Sequence, residues 1–501
     1  MIPDSTSKSI RLSSLYMIAQ KLITPVLAFF MGIYIVRHLS LEEYGTYNLL
    51  LALMMYIGLF SSLGLPNIFK RFIPEWQHQG HQGNLIYLIK KGMLVRGALI
   101  ILLSLLTVAF SPTLSALFHI HINTQLFAFF ALGILFFLEA QLMGLVLTSL
   151  FMHRYFALAQ VLYALCRTTL VYVLIERGWA LKGLLIGEVL GYAILIIGQL
   201  FFFYQHYYRD RCTLKVVDFP FKRIKKYAGF AYFNEMGEQI LDVSTDILII
   251  SIFLGPPMAA LYAFATNTIK FIMRWMPHRL LVDVITPVFY RRFAEEKDHA
   301  DLQWMFTLIL KMVFFFFVPF AMLILINGDV LIRFVYDPKY MAALRVMQIV
   351  VVFRLFNAVN LPMGLVVQAL EKVEIHFYSK IFSIYNLIGN LLVVNQYGIT
   401  GIAIVTSTAI LFKNVFTYFK IRKHIKLTLP AISIIKILIN ASVMAIFLIV
   451  YHASIDSVSG FIIACLLGAV LYLLTSIVIK PFSEHERDML NRIIGKKIFI
   501  F

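Results

Sequence analysis

The chain has 501 residues, of which 60% are hydrophobic and only 14% are charged, and its net charge is +18. Soluble domains carry about a quarter charged residues, so the composition excludes an ordinary soluble protein. Three cysteines at scattered positions predict neither a disulfide framework nor a metal site. The positive charge alone would fit nucleic-acid binding, but its placement along the chain favours another explanation.

Apolar stretches of about twenty residues recur from end to end and predict an all-α polytopic membrane protein. No charged, loop-rich region is long enough to form a separate soluble domain. The N-terminus lacks the pattern of a cleaved signal peptide, so the first span is expected to be retained. We predict about fourteen spans, at 12–36, 45–66, 92–110, 124–149, 157–176, 183–204, 227–254, 258–279, 304–326, 341–370, 374–395, 400–420, 430–451 and 459–479.

The Lys and Arg residues between these spans are distributed unevenly. With both termini on one side, and with the span-end residues Arg279 and Lys420 counted in the adjoining loops, 28 of them fall in the termini and even-numbered loops, and five fall in the odd-numbered loops. Positively charged loops stay in the cytoplasm, so both termini are predicted to be cytoplasmic. The net charge then reflects topology and contact with anionic membrane lipids, and nucleic acid is not an expected partner.

The chain echoes itself at an offset of 215 to 221 residues. "HLSLEEYGTYNLL" after the first span corresponds to "FLGPPMAALYAFA" after the seventh, and "FKRFIPE" corresponds to "YRRFAEE". The offset predicts two related six-helix bundles, residues 1–210 and 211–425, followed by two further helices and a cytoplasmic tail in residues 426–501. Such bundles relate by an axis along the membrane normal, and they are expected to enclose a V-shaped central cavity.

Apart from residues that begin or end a predicted span, eleven Lys and Arg residues and six acids fall inside the predicted spans. At roughly 3 kcal/mol each, seventeen lipid-facing charges would cost about 50 kcal/mol. Those near span ends, such as Arg96 and Lys436, can extend to the headgroups. The central charges are expected to face a wet interior or one another.

Four acids recur in "YFNEMGEQILDVSTDILIISIFLG", the seventh span. Their offsets of three, seven and eleven residues place the later three acids within about 60° of the first on a helix. The stripe consists of Glu235, Glu238, Asp242 and Asp246. One interpretation is an ion-pair network that sets helix packing. The other is a coupling site that takes up a proton, or a sodium ion held between two carboxylates.

Cations outnumber acids among the buried charges, which favours an anionic substrate, and Arg binds phosphate through paired donors. Polar residues on the same and neighbouring spans could bind sugars. The alternatives are local ion pairs or snorkelling for the cations and helix–helix hydrogen bonds for the amides. The predicted substrate-binding residues are Arg167, Lys270, Arg274, Arg354, Asn267 and Asn357.

Two stretches carry a family resemblance. "LSLEEYGTYNLLLAL" and "SSLGLPNIFKRFIPEW" resemble the polysaccharide-biosynthesis flippases, the Wzx-type O-antigen and oligosaccharide exporters. These typically show L-G-x-x-x-Y-G-x-Y after the first span and G-L-x-x-x-x-x-R-F-x-x-E after the second. The chain keeps Tyr44, Gly45, Tyr47 and the whole second pattern, but has Ser40 where glycine is usual.

The resemblance implies the multidrug/oligosaccharidyl-lipid/polysaccharide exporter fold in a bacterial cytoplasmic (inner) membrane. It implies a flippase, not an enzyme, that moves undecaprenyl-pyrophosphate-linked polysaccharide repeat units between leaflets by alternating access. No cofactor is expected beyond a coupling proton or sodium ion, and polymerase and assembly proteins are further expected partners. No phosphate-binding loop for ATP is present. The alternatives are a lipid II-type flippase, a multidrug exporter of the same fold and a membrane polysaccharide polymerase or ligase.

Overall fold

The computed structural model describes residues 4–212, 214–277, 299–370, 372, 374–494, 497 and 499–501. Within these residues the chain is helical and contains no strand, which confirms the all-α prediction. The chain forms two compact units, Met1–Ala260 and Leu261–Phe501. This boundary differs from the predicted bundle boundary at 210/211, because the segment Val243–Leu254 packs against the helix Leu41–Ser62. The predicted three-part division stays a prediction.

The first unit contains ten helices within the described residues, and an eleventh crosses into the second unit. They are α1 Asp4–His38, α2 Leu41–Ser62, α3 Leu65–Gln79, α4 Gln82–Ala109, α5 Ser111–Leu117, α6 Thr124–Ser149, α7 His153–Leu174, α8 Ala180–Phe203, α9 Phe221–Ile240, α10 Val243–Leu254 and α11 Pro256–Arg274. The short amphipathic helix α3 packs its apolar face against aromatic and aliphatic side chains of α4, α6 and α8, and together they form a buried core. That helix contributes Phe69, Phe72 and Trp76, all nearly inaccessible to solvent.

The second unit also consists mainly of long apolar helices. Its described helices are α12 His299–Val330, α13 Leu344–Asn357, α14 Asn360–Ala369, α15 Glu374–Ser379, α16 Ile381–Ile421, α17 Ala431–His452, α18 Val458–Ile479 and α19 Glu484–Ile494. The ammonium of Lys311 on α12 lies 2.9 and 3.0 Å from the two carboxylate oxygens of Glu486 on α19. Both side chains are at least nine-tenths buried. The amphipathic tail is therefore tied to a span by a buried ion pair.

Ten helical segments in the described part are long and apolar enough to cross a membrane. Two of them, His153–Tyr208 and Glu374–Ile421, each cover two predicted spans. They are interrupted where Gly178 and Gly398 adopt positive φ values of 79° and 57°. The multi-pass character is confirmed, whereas the count of fourteen is not.

The start of α2 explains the first sequence pattern. Ser40 is the N-cap of α2, and its hydroxyl accepts from the Glu43 amide while the Glu43 carboxylate accepts from the Ser40 amide. This capping box compensates for the glycine that is usual at this position. At Gly45, an added Cβ would lie 1.8 Å from the carbonyl oxygen of Pro256. Glycine is required there because the backbone of α11 passes too close for any side chain.

The register of α2 and α11 matches the predicted internal repeat. Tyr47 and Tyr262 each lie six positions after the first residue of their helix, Leu41 and Pro256, and both are buried. The second predicted match, "YRRFAEE" at 290–296, lies outside the described residues. The repeat as a whole stays a prediction.

Gly45→Ala is expected to destabilise the protein by about 1–3 kcal/mol, because the backbone of α11 must move to admit the methyl group. The matched control is Gly32→Ala on α1, where nothing lies within 4 Å of the added Cβ. Thermal unfolding of the purified protein in detergent measures both. Equal unfolding temperatures for the two variants would contradict the close approach.

Candidate functional site

A cavity of about 660 Å³ lies among helices α2, α3, α4, α6, α7 and α9 of the first unit. Its charged lining residues come from α3, α4, α9 and the N-cap position of α10. They are Lys70, Arg96, Glu235, Glu238 and Asp242. Uncharged polar side chains complete the lining. These are Ser62, Gln141, Thr148, Gln160 and Gln239. The cavity therefore brings three of the four predicted coupling acids together with two cations.

The helix that carries these acids is broken. α9 ends at Ile240, and Asp242 is the N-cap of α10 in an extended conformation (φ −83°, ψ 155°). Its carboxylate accepts hydrogen bonds from the Ser244 amide at 3.0 Å and the Ser244 hydroxyl at 2.6 Å. Aspartate is favoured at such positions because it satisfies the first amides of the helix. The predicted single stripe on a continuous helix is therefore wrong.

Asp246 is separated from the other three acids by this break. It lies in the first turn of α10, is fully buried and is not among the described lining residues of the cavity. Its predicted role in ion coupling stays a prediction, since the structure places it in the interior of the unit and not at the cavity surface.

Glu235 is held in place by two donors from the joint between α2 and α3. The Ser62 hydroxyl and the Asn67 amide each donate to its carboxylate at 2.6 Å. A carboxylate with fixed donors, next to the carboxyl-terminal end of a half-helix, is an arrangement that attracts cations in transporters. Among the described residues, no group of three or more His, Cys, Asp or Glu side chains is close enough to hold a metal ion.

Arg96 faces the cavity, although the sequence predicted that it would extend to the headgroups. Its side chain is almost fully buried, with 2% of the residue exposed. One nitrogen, Nη1, donates to the Leu138 carbonyl at 2.9 Å, and Nε has no hydrogen-bond partner among the described residues. The prediction failed because α4 begins at Gln82, ten residues before the predicted span, which moves Arg96 into the middle of the helix.

The six predicted substrate-binding residues are not among the described lining residues of this cavity. Arg167 forms a buried ion pair with Glu188: Nε donates to Oε2 at 2.8 Å and Nη2 donates to Oε1. The Tyr47 hydroxyl, from the first sequence pattern, also donates to Glu188, at 2.7 Å. The structure thus gives Arg167 a packing role, and its contact with substrate stays a prediction.

The other five belong to the second unit. Asn267 and Arg274 are exposed, and Lys270 and Arg354 are partly buried. Asn357 accepts a hydrogen bond from the Asn414 amide at 3.1 Å, as expected for a helix–helix contact. Their roles in substrate binding stay predictions. In the first-unit cavity itself, three carboxylates face two cations among the described lining residues, so the predicted positive surplus is not found there.

The polysaccharide biosynthesis protein family model matches residues 11–291, more than half of the chain. The chain belongs to this family. No curated protein sequence matches it significantly.

Three solved structures show what fold this polysaccharide biosynthesis protein has. The lipid II flippase MurJ, in an inward closed conformation, has a TM-score of 0.69 at 16% identity, covering 93% of this chain and 99% of MurJ. An inward-facing multidrug resistance MATE family transporter of the MOP superfamily has 0.62 at 11%, covering 82% and 97%. A MOP superfamily transporter from Pyrococcus furiosus, described as having a binding pocket of reverse polarity, has 0.51 at 13%, covering 82% and 93%. The predicted exporter fold is confirmed.

The second sequence pattern of this polysaccharide biosynthesis protein forms a docking surface for α9. An added Cβ on Gly64, which has φ +72°, would lie 2.6 Å from the Ala228 carbonyl oxygen, so glycine permits the close approach. The guanidinium of Arg71 lies over the Tyr227 ring at 5.0 Å. At the far end, Glu75 pairs with the guanidinium of Arg223 through two hydrogen bonds of 2.6 and 3.0 Å.

The Glu75 carboxylate raises the pKa of Arg223 above its ordinary value by hydrogen bonding, then by charge. An arginine is protonated at physiological pH even without such help, so the guanidinium of Arg223 stays charged across that range. The sequence pattern R-F-x-x-E pointed to the importance of these positions, but it gave no sign of their partners on α9, about 150 residues later in the chain.

Glu188→Ala is expected to cost about 3–5 kcal/mol of stability, because it leaves the buried guanidinium of Arg167 without a counter-charge. The double variant Arg167→Met/Glu188→Leu should lose much less, since it removes both charges and keeps their volume. Chemical or thermal unfolding in detergent compares the three proteins. A single variant as stable as the parent would show that the pair contributes nothing.

Proposed function

We propose that the chain is a lipid-linked oligosaccharide flippase that moves undecaprenyl-pyrophosphate-linked repeat units from the inner to the outer leaflet. Membership of the polysaccharide biosynthesis family and the fold shared with the MurJ lipid II flippase support a membrane flippase. The observation that carries the proposal is the cavity in which Arg96 and Lys70 face three acids. It holds cations for an anionic headgroup and carboxylates for a coupling cation.

Arg96 is suited to bind phosphate. Its guanidinium is shielded from bulk water and borders the cavity, and its Nε donor has no hydrogen-bond partner in the part of the chain that the structure describes. Planar guanidinium groups bind phosphate oxygens through paired hydrogen bonds, and such bonds strengthen where water is excluded. Lys70 adds a second positive charge on α3. The hydroxyl and amide side chains of the lining would bind sugar hydroxyls while the lipid tail stays in the bilayer.

The three acids of the cavity would bind the cation whose inward movement drives transport. When Glu235, Glu238 and Asp242 are ionised, they repel an anionic headgroup from the same cavity. After the headgroup has left on the outer side, a cation that moves inward through these residues resets the cycle. Binding of the two ligands is thereby linked without any covalent chemistry.

A multidrug exporter is the second candidate, and one observation favours it. Three carboxylates against two cations in the described cavity suit a cationic drug, and the MATE family transporter has the same fold. The two candidates differ in a simple test. Deletion of the gene should abolish one surface polysaccharide and make its lipid-linked unit accumulate on the cytoplasmic side, without changing sensitivity to cationic drugs. Increased drug sensitivity with intact polysaccharide would favour the exporter.

Arg96→Gln is expected to reduce translocation of the lipid-linked unit about 10- to 100-fold, the cost of losing a hydrogen bond from a charged group. Lys91→Gln on the same helix is the control, because that side chain is exposed and does not line the cavity. Complementation of the deletion strain measures both, with expression levels checked by immunoblot. Full activity of Arg96→Gln would show that Arg96 does not contribute to binding the headgroup.

The triple variant Glu235→Gln/Glu238→Gln/Asp242→Asn should abolish the dependence of transport on a proton or sodium gradient, since neutral side chains cannot load and release a cation. Proteoliposomes with an imposed pH or sodium gradient measure translocation, and each gradient is applied separately to identify the ion. If the triple variant still responded to the gradient like the parent, these residues would not be the coupling site.

A further inference from the structure

The contacts between α3 and α9 form a continuous strip along both helices. At one end, Glu75 pairs with Arg223. In the middle, the rings of Phe72 and Tyr227 meet edge to face, with centroids 5.8 Å apart, and Arg71 stacks over Tyr227. At the other end, Ser62 and Asn67 hold Glu235. The strip therefore fixes the position of the acids that α9 contributes to the cavity.

α10 is anchored on α2, and a hydrogen bond from the Thr245 hydroxyl to the Gln239 carbonyl, 2.8 Å long, spans its joint with α9. The Tyr56 hydroxyl on α2 lies 2.6 Å from the Thr245 hydroxyl on α10, and α10 packs along α2. Between the two helices the chain leaves helical geometry at Asp242. A few residues at a helix end that can absorb a change in φ and ψ are the usual form of a hinge. α9 can thus leave α3 while α10 remains on α2.

The ion pair at the end of the strip is accessible to water. The side chain of Arg223 is 49% exposed and that of Glu75 is 23% exposed. Ion pairs in such surroundings contribute little to stability, because water solvates the separated charges almost as well. This contact can therefore open without a large penalty, unlike the buried pair between Arg167 and Glu188 in the same unit.

We propose that α3 and α9 form a latch that opens once in every transport cycle, with Glu75 and Arg223 as its positioning residues. The inference rests on the proposed flippase function. α3 and α9 lie in one compact unit, Met1–Ala260, and both line the cavity. Movement of α9 about the break at Asp242 therefore widens the cavity on the predicted cytoplasmic side. Opening also withdraws Ser62 and Asn67 from Glu235, which couples the latch to cation loading.

The test is a reversible cross-link across the latch. In a background with Cys166, Cys212 and Cys465 replaced by serine, Glu75→Cys and Arg223→Cys are bridged by a short, reducible bifunctional methanethiosulfonate. Translocation in proteoliposomes should fall to background after bridging and recover after reduction. Bridging Gln303→Cys to Thr428→Cys, an exposed contact of the second unit that the latch does not involve, should leave translocation unchanged. Normal translocation by the bridged latch variant would overturn the proposal.

A second measurement covers the case in which the cysteine variants do not transport. Spin labels on Glu75→Cys and Arg223→Cys, read by double electron–electron resonance, should give a short and a long distance whose ratio changes with pH or sodium. A single short distance under all conditions would overturn the latch. A protein that moves cationic dyes instead of lipid-linked sugars would overturn the proposed substrate but not the movement of α9.

Discussion

A charged group inside a membrane protein must find water or an opposite charge, and this constraint determines where the polar residues of the chain lie. Glu188 resolves it by pairing with Arg167, and Lys311 resolves it by pairing with Glu486. Arg96 is different, since its Nη1 donates to a carbonyl and its Nε has no hydrogen-bond partner among the described residues, at the wall of a cavity. Among the described residues, the two buried ion pairs join neighbouring helices, whereas Arg96 borders the candidate site.

The fold class and family could be predicted because they depend on features that repeat along the chain. Apolar periodicity and the sequence patterns around the first two spans are local signals, and the structure confirms the all-α exporter fold. The position of Arg96 could not be predicted, since hydropathy does not show that α4 extends ten residues beyond its apolar part. The partner of Arg167 could not be predicted either. A sequence pattern does not reveal which residue on a neighbouring helix faces a given side chain.

The seventh predicted span shows the limit of helical periodicity as an argument. Offsets of three, seven and eleven fit one face of an ideal helix, but the spacing is informative only while the helix continues. An aspartate side chain competes for the backbone amides that follow it and favours a new helix start, and Asp242 does this here by accepting from the Ser244 amide. Because the break lies at the cavity, the same residue ends the stripe and supplies a carboxylate to the site. The local departure from regular structure coincides with the candidate function, as in other broken membrane helices.

The contact between Lys311 and Glu486 has a practical consequence for anyone who purifies this protein. Glu486 also accepts a hydrogen bond from the Ser483 amide at 2.8 Å, so one carboxylate both starts the last helix and neutralises an ammonium inside α12. Removing the residues after Ile479, or displacing them with a bulky affinity tag, would leave the Lys311 ammonium among apolar side chains without its Glu486 partner. A tag is therefore better placed at the other end of the polypeptide.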